Sequence, residues 1–338
     1  MIEVTNLKKN YRILKRDPGL RGFFKALFKP VYEIKTAVND INFHIKEGEI
    51  VGYIGSNGAG KSTTIKMISG VLTPDEGNIT VNGIVPYKDR MSNAYSIGAV
   101  FGQRTQLYWD IPVQESFDLL KHVYEIKEED FQKNLTLFKD ILDLEPLLPI
   151  PVRQLSLGQK MRCELAAAFL HNPKIVYLDE PTIGLDVVVK EKIRQFIKDM
   201  NQLYKTTIIL TTHDMQDIEE LCHRIMVIDH GTIMYDGQLN DLKNSVKYNR
   251  MIQIEIEKQQ EFQLPPKLSD KLFAEKVEGK NNSFVLSYNN AQLSSTDIIQ
   301  EIMSRYSVLD FTITEPGIEV IVKEMYERGA SSWSNIGS

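Results

Sequence analysis

Cysteine is nearly missing from this 338-residue sequence, with Cys163 and Cys222 the only two. Two cysteines without metal-ligand spacing exclude a disulfide framework, so a reducing cytosol is the expected compartment and both thiols read as small buried side chains. Long apolar runs are missing as well. No stretch approaches the roughly 18 apolar residues of a membrane span, and no signal-peptide pattern follows Met1, so the chain is expected to start and stay in the cytosol. A positive surplus is also lacking: the net charge of −5 argues against a general nucleic-acid binder. The deficit is uneven. Residues 1–38 hold nine Lys and Arg against three Asp and Glu, a surplus of six, so the remainder carries −11. What is left is an ordinary globular composition, long enough for about two domains.

The rest of the chain is organised around Val51–Thr64, VGYIGSNGAGKSTT. An apolar strand ends on a glycine turn and restarts as a helix, TTIKMIS, before Gly70. Gly55, Gly58 and Gly60 let the backbone curl so that successive N–H groups converge, and the helix adds its positive N-terminal end. Lys61 then reaches β/γ-phosphates and Ser62 a Mg²⁺ ion, as GxxxxGK[ST] requires. A chance Gly/Ser turn lacks that strand before and helix after.

Around this turn the pattern is α/β. IEVTNL and TAVNDINFHI read as strands, and between them Arg12–Lys35 reads as a basic insertion. There Phe23, Phe24, Leu27 and Phe28 fall at helical spacing, with Lys25 and Lys29 off that stripe. Such a segment is either a solvated loop packing on its own domain or a membrane-proximal contact. NITVNG and SIGAVF are strands, residues 112–171 are helical, and KIVYLDE and TTIILTTH flank a helix carrying Ile193, Phe196, Ile197, Met200 and Leu203 on one face. Strand–helix alternation implies a parallel sheet with crossover helices. RIMVIDHG and TIMYDG form a hairpin across His230 and Gly231. From Tyr248 a small α+β unit follows, with strands MIQIEIE, SFVLSY and VLDFTIT, a helix over 296–305 and a last helix around Ile318–Tyr326. Lys258–Pro266 reads as a loop, and residues 329–338 as a disordered tail.

Asp179 and Glu180 end KIVYLDE at the same sheet edge as the phosphate turn. Asp179 suits Mg²⁺ through water, and Glu180 orients or deprotonates the water attacking the γ-phosphate. An acidic pair at a strand end is ordinarily just solvated; the partnership with Lys61 and Ser62 makes it a site. His213 stands at the end of TTIILTT, where an imidazole contacts the γ-phosphate side. Gln103 follows SIGAVF, where its amide can bind Mg²⁺ or water. Ser156 and Gly158 in LSLGQ open a further helix and form a second anion site, held on a separate helical block away from the phosphate turn.

These motifs, in this order over residues 1 to about 240, resemble the ATP-binding subunits of ABC transporters. The resemblance identifies Gly55–Thr63 (Gly55, Ser56, Asn57, Gly58, Ala59, Gly60, Lys61, Ser62, Thr63) with Walker A, Gln103 with the Q-loop and Leu155–Gln159 with the signature. It likewise identifies Ile175–Glu180 with Walker B, Gly184–Asp186 with the D-loop and His213 with the switch histidine. It implies that Tyr11 stacks on adenine and that two copies sandwich two ATP molecules head to tail. Ser156, Gly158 and Gln159 would then serve the partner's nucleotide, with Lys61, Glu180 and His213 carrying catalysis, Asp186 near the nucleotide, and Ser62, Gln103 and Asp179 around the metal. The third signature position departs from the family, being Leu157 rather than glycine. VFGQRTQLYWD, TIGLDVVVK and LTTHDMQDIEELC resemble the exporter branch of daunorubicin-type resistance and viologen exporter ATPases. Arg12–Lys35 is similar to the insertion of polysaccharide-exporter ATPases.

The resemblance implies an ABC ATPase domain over 1–240, a mixed sheet with a helical subdomain at about 104–171; beyond it, the strand and helix pattern gives a C-terminal α+β domain at 248–328. It implies Mg²⁺-dependent ATP hydrolysis driving separate permease subunits, a second ATPase subunit, identical or paralogous, and a place at the inner membrane face without nucleic acid. The alternative is a soluble ABC-type ATPase of DNA repair or translation. The missing coiled-coil insertions and second ATPase unit speak against it.

Overall fold

A computed structural model describes residues 1–15, 31–102, 105–245, 249–257, 262–277, 282–315 and 317–328. Its contacts divide the chain into Met1–Gly237 and Gln238–Ser338. In the first unit the elements are β1 (Ile2–Lys15), β2 (Val31–Ile45), β3 (Ile50–Gly55), α1 (Lys61–Ile68), β4 (Glu76–Val81), α2 (Arg90–Ser96) and β5 (Ile97–Phe101). They continue with α3 (Val113–Val123), α4 (Glu128–Leu142), α5 (Leu157–Phe169), β6 (Ile175–Asp179), α6 (Val187–Tyr204), β7 (Thr207–Thr211), α7 (Met215–Leu221), β8 (Arg224–Asp229) and β9 (Thr232–Gln238).

The six-stranded sheet runs β5-β6-β7-β3-β8-β9 and is parallel from β5 to β8. Its inner strands are buried almost throughout, because helices cover both faces of a parallel sheet. That is why VGYI and TIILT read as unbroken apolar runs instead of alternating. Tyr53, Tyr177, Ile209, Met226 and Ile228 join the apolar residues of β1, β2, β4 and α1 in one core. β9 joins by a two-residue turn whose His230 and Gly231 both take positive φ, 45° and 80°. That geometry matches the twist of a hairpin. On α6, Ile193, Phe196, Ile197 and Met200 are buried as expected, whereas Leu203 is 62% exposed. It sits in the last turn of the helix.

Arg12–Lys35 departs from the sequence reading of a single inserted segment. β1 and β2 continue as an antiparallel ribbon that pairs Tyr11 with Lys35, Arg12 with Ile34 and Lys15 with Val31. Tyr11, Ile13, Tyr32 and Ile34 favour extended backbone, and the charge that suggested a loop is tolerated because the ribbon stands in solvent. Phe23, Phe24, Leu27 and Phe28 lie outside the described residues.

The second unit begins with α8 (Leu239–Ser245), followed by β10 (Arg250–Ile256), β11 (Leu272–Lys276), β12 (Ser283–Tyr288), α9 (Ser295–Met303), β13 (Val308–Thr314) and α10 (Ile318–Arg328). Its antiparallel sheet has the order β11-β12-β10-β13. α9 lays Ile298 and Ile302 on Ile252, Ile254 and Leu286. Neither α8 nor β11 is evident in sequence, since each is short and β11 buries little beyond Leu272. The part of the expected 258–266 loop that is described, from Phe262 on, has no regular structure, and the expected tail lies outside the described residues.

Candidate active site

The turn from β3 to α1 places its groups by close approach of backbones. Gly55 is forced: a Cβ there would stand 2.4 Å from the carbonyl oxygen of Ile228. Gly60, with φ of 114°, would bring a Cβ to 2.4 Å from the Ala37 oxygen. Lys61 therefore starts α1 tight against the loop, and its Nζ donates to the carbonyls of Gly55 at 2.6 Å and Ser56 at 3.1 Å. Burial lowers the Lys61 pKa, while the charges of Glu180 and Asp179 pull it back up. Ser56 Oγ donates to Asp229 Oδ1 at 2.9 Å, a partner the sequence reading missed. Ala59 is buried and spends its N–H on the Ser56 carbonyl, so unlike its neighbours it does not line the cleft.

That cleft encloses about 710 Å³ between the ribbon and the loop. Ser56, Asn57, Gly58, Gly60, Lys61, Ser62 and Thr63 form one side, Tyr11, Arg12, Ile13, Lys35 and Ala37 another, and Asp179, Glu180 and His213 the end. Tyr11, Ile13, Lys35 and Ala37 share a face because the register sets Tyr11 opposite Lys35 and side chains alternate along each strand. The sequence reading singled out Tyr11 and missed the others, since nothing in the motif order tells that the arms of an insertion return to the phosphate loop.

At the far end Asp179 accepts a hydrogen bond from the Thr211 hydroxyl. Glu180 follows with φ of 55°, its amide donating to the Thr211 carbonyl at 2.9 Å. Its Oε2 accepts the His213 backbone N–H at 3.2 Å, and its Oε1 lies 3.5 Å from His213 Nε2. Burial raises the Glu180 pKa and Asp179 adds to it, against lowering by His213 and Lys61. A recess of about 400 Å³ brings together Ser62, Asp179, Glu180 and Gly102, one hydroxyl and two carboxylates. Gln103 lies outside the described residues.

A buried ionic cluster, also missed in sequence, sits behind this end. Arg194 Nε donates to Asp217 Oδ1 at 2.6 Å and Nη1 to Glu220 at 3.0 Å, while the hydroxyls of Thr182 and Thr212 donate to Asp217 Oδ2. It ties the segments after β6 and β7, which carry Glu180 and His213, to α6 and α7. One signal was available: Arg194 interrupts the apolar face between Ile193 and Phe196.

The signature turn is elsewhere. Ser156 caps α5 by accepting the Gln159 N–H at 3.3 Å, and Gln159 Oε1 accepts the Ser156 N–H at 2.9 Å. Leu157 is 52% exposed and leans toward Gly184, whose added Cβ would lie 3.3 Å from it. The departure from glycine is thus accommodated on the surface. Asp186 caps α6 through the Val189 N–H at 3.0 Å. None of Ser156, Gly158, Gln159 and Asp186 lines the cleft.

The ABC transporter family matches residues 38–183. The linearmycin resistance ATP-binding protein LnrL of Bacillus subtilis is 35% identical over 228 residues, 68% of this chain and 73% of that protein. The ABC transporter ATP-binding protein NatA of Bacillus subtilis is 31% identical, covering 64% of this chain and 88% of that one. The methionine import protein MetN of Halalkalibacterium halodurans is 33% identical, covering 66% of each. An ATP-binding cassette solved as a dimer in a post-hydrolysis state with ADP and Pi superposes with a TM-score of 0.59 at 29% identity, over 71% of this chain and 99% of that one. On these likenesses the chain belongs to the ATP-binding subunits of ABC transporters, which hydrolyse ATP.

Proposed function

We propose that the chain powers an exporter as one of two ATPase subunits that share both ATP molecules, coupled to separate permease subunits at the inner face of the cell membrane. One observation carries the shared-site part: one cleft gathers the phosphate loop, Asp179, Glu180 and His213, while Ser156, Gly158 and Gln159 do not line it. A second copy, head to tail, supplies what each cleft lacks. Residues 104–171 act as the helical subdomain, and the permease docks near Tyr108–Glu115, where Tyr108 and Trp109 are exposed. The export direction rests on sequence likeness to daunorubicin-type ATPases and on relatives such as the Nod factor export protein of Neorhizobium galegae, 35% identical over 61% of this chain and 59% of that one. An import ATPase is among the relatives too, so direction needs its own test.

In this reading the adenine stacks on Tyr11 and the phosphates accept the loop N–H groups of Gly58 and of Gly60 to Thr63. Lys61 exchanges its hold on the Gly55 and Ser56 carbonyls for β- and γ-oxygens. Ser62 and Asp179, a hydroxyl and a carboxylate bordering one recess, fit Mg²⁺, which takes few protein oxygens beside phosphate. The ion would neutralise charge that develops on the phosphate oxygens. Glu180, with a pKa raised by burial, accepts a proton from the attacking water, and His213 beside it holds the carboxylate's orientation.

Two experiments test this. Lys61→Ala fails in its own site and Ser156→Arg in the partner's, so a mixture regains one intact composite site. ATP-dependent dimerisation should return in the mixture; no gain over either variant alone removes the shared-site model. With the copurifying permease in inside-out vesicles, external ATP should drive substrate inward. Uptake only into right-side-out vesicles loaded with ATP would make the chain an importer subunit.

A further inference from the structure

The ribbon wall of the nucleotide cleft is built from the far ends of β1 and β2, past the sheet in which they begin. β1 pairs with β4 only as far as Lys8 opposite Glu76. Beyond that point, among the described residues, β2 is its one strand partner. The ladder with β2 is itself interrupted there: Lys9 pairs with Val38 and Asn10 with Thr36, which leaves Ala37 as an extra residue. A bulge of this kind bends the strand and re-aims the side chains that follow. Tyr11, Ile13 and Lys35, all bordering the cleft, lie beyond the interruption.

Two strands leaving a sheet at a bulge need a further hold, since a lone hairpin is marginal in water. Asp75, the residue just before β4, supplies one. Its N–H donates to the Lys8 carbonyl at 3.0 Å. Its Oδ2 accepts the Asn10 N–H at 2.7 Å, taking over where the β4 ladder stops. Its Oδ1 accepts Lys9 Nζ at 2.7 Å, and the same Nζ donates to the Thr73 carbonyl at 2.9 Å. The Thr36 hydroxyl donates to Asn10 Oδ1 at 2.8 Å, so the β2 arm is held through Asn10 as well. The hydrogen bond from Lys9 keeps the Asp75 carboxyl below its ordinary pKa, and bonds to an ionised carboxylate are stronger than neutral ones. The connection that carries Asp75 also starts from the phosphate-loop helix: α1 ends at Ile68, and the Leu72 N–H folds back onto the Lys66 carbonyl at 2.8 Å.

We propose that Asp75 is a positioning residue for nucleotide binding: its grip on Asn10 and Lys9 sets the ribbon wall over the phosphate loop. The wall that meets the base and the helix that meets the phosphates are then parts of one frame. Asp75 does not itself line the cleft, so it acts through Tyr11, Ile13 and Lys35. The proposal rests on reading the cleft as the ATP site, with the base against the ribbon.

The test titrates the full chain, with Mg²⁺ present, with two probes: ATP and inorganic tripolyphosphate, which has the phosphates and no base. The wild type should prefer ATP. Asp75→Ala should weaken ATP binding about three- to tenfold, the worth of one hydrogen bond, and leave tripolyphosphate binding unchanged. Asp75→Asn keeps an oxygen for the Asn10 N–H and should regain most of the ATP affinity. Because Asp75 acts through the ribbon, Asp75→Ala combined with Tyr11→Ala should bind ATP less weakly than the two separate losses multiplied. Four results overturn the proposal: ATP affinity untouched by Asp75→Ala, ATP and tripolyphosphate weakened alike, Asp75→Asn no better than Asp75→Ala, or a wild type without preference for ATP. The first leaves the grip idle, and the second makes it a matter of holding α1 together. If Tyr11→Ala alone leaves ATP binding unchanged while Asp75→Ala still weakens it selectively, stacking on Tyr11 is the reading that falls, and Asp75 is upheld as acting through Ile13 and Lys35.

Discussion

Glu180 bears two costs at once. Its φ of 55° is one that side chains rarely adopt, and burial raises its pKa. The sign follows: a carboxyl whose folded pKa is raised contributes stability below its ordinary pKa and loses it as pH rises through the folded value. At neutral pH the ionised Glu180 therefore weakens the fold that holds it. Glu180→Gln should cut kcat about 10²- to 10⁴-fold while ATP still binds, as expected on losing a general base. The same variant should melt at a higher temperature than the wild type at neutral pH. Unimpaired turnover would remove Glu180 from the base role, and a lower melting temperature would show that its contacts with His213 and Lys61 outweigh the burial.

At the scale of elements, the β1–β2 ribbon changes what its basic residues do. Lys35 and Ile13 border the nucleotide cleft, so Lys35→Gln should weaken ATP binding by the isolated subunit about two- to fivefold, the worth of an exposed charged contact. Unchanged affinity in a titration would leave the ribbon a bystander. A second element-level effect sits where α5 ends. His171 Nε2 donates to the Ile97 carbonyl at 3.0 Å, and its ring stacks on Tyr124 with centroids 3.9 Å apart. Burial pushes its pKa down to about 4. A depressed histidine contributes stability above its ordinary pKa and loses it as pH falls, here from about 6.5 toward 4. That loss is on the order of 3 kcal/mol for the whole interval. His171→Phe should flatten this part of the stability–pH curve; an unaltered slope in urea titrations would assign acid sensitivity to the carboxylates.

Across the whole first unit, the Arg194–Asp217 cluster joins segments that come from four separate places in the chain. Asp217→Ala removes the acceptor of Nε on a guanidinium that is 2% exposed, leaving Glu220 as its hydrogen-bond partner, and should cost up to about 3 kcal/mol. Replacing both partners, as Arg194→Met with Asp217→Leu, should recover most of that stability, since an apolar pair carries no desolvation cost. Hydrolysis should stay impaired even so, because Thr182 and Thr212 lose the acceptor that positions the loops bearing Glu180 and His213. Full activity in the double variant would make the cluster a matter of stability alone.

The sequence by itself determined whatever depends on local backbone and neighbouring residues. A glycine turn between an apolar strand and a helix gathers N–H groups and a positive helix end that suit an anion, and a buried parallel strand ending in Asp179 and Glu180 delivers both acids to the same edge. Motif order then named the family. Only the tertiary structure decided which distant segments meet. The ribbon returns Lys35 to the phosphate loop through cross-strand register, which no local pattern encodes. Asp217 finds Arg194 and Thr182 because α7 packs on α6 beside the end of β6. β13 is left at the sheet's edge because β10 takes β12 on one side and β13 on the other, a choice made by pairing across some sixty residues of chain.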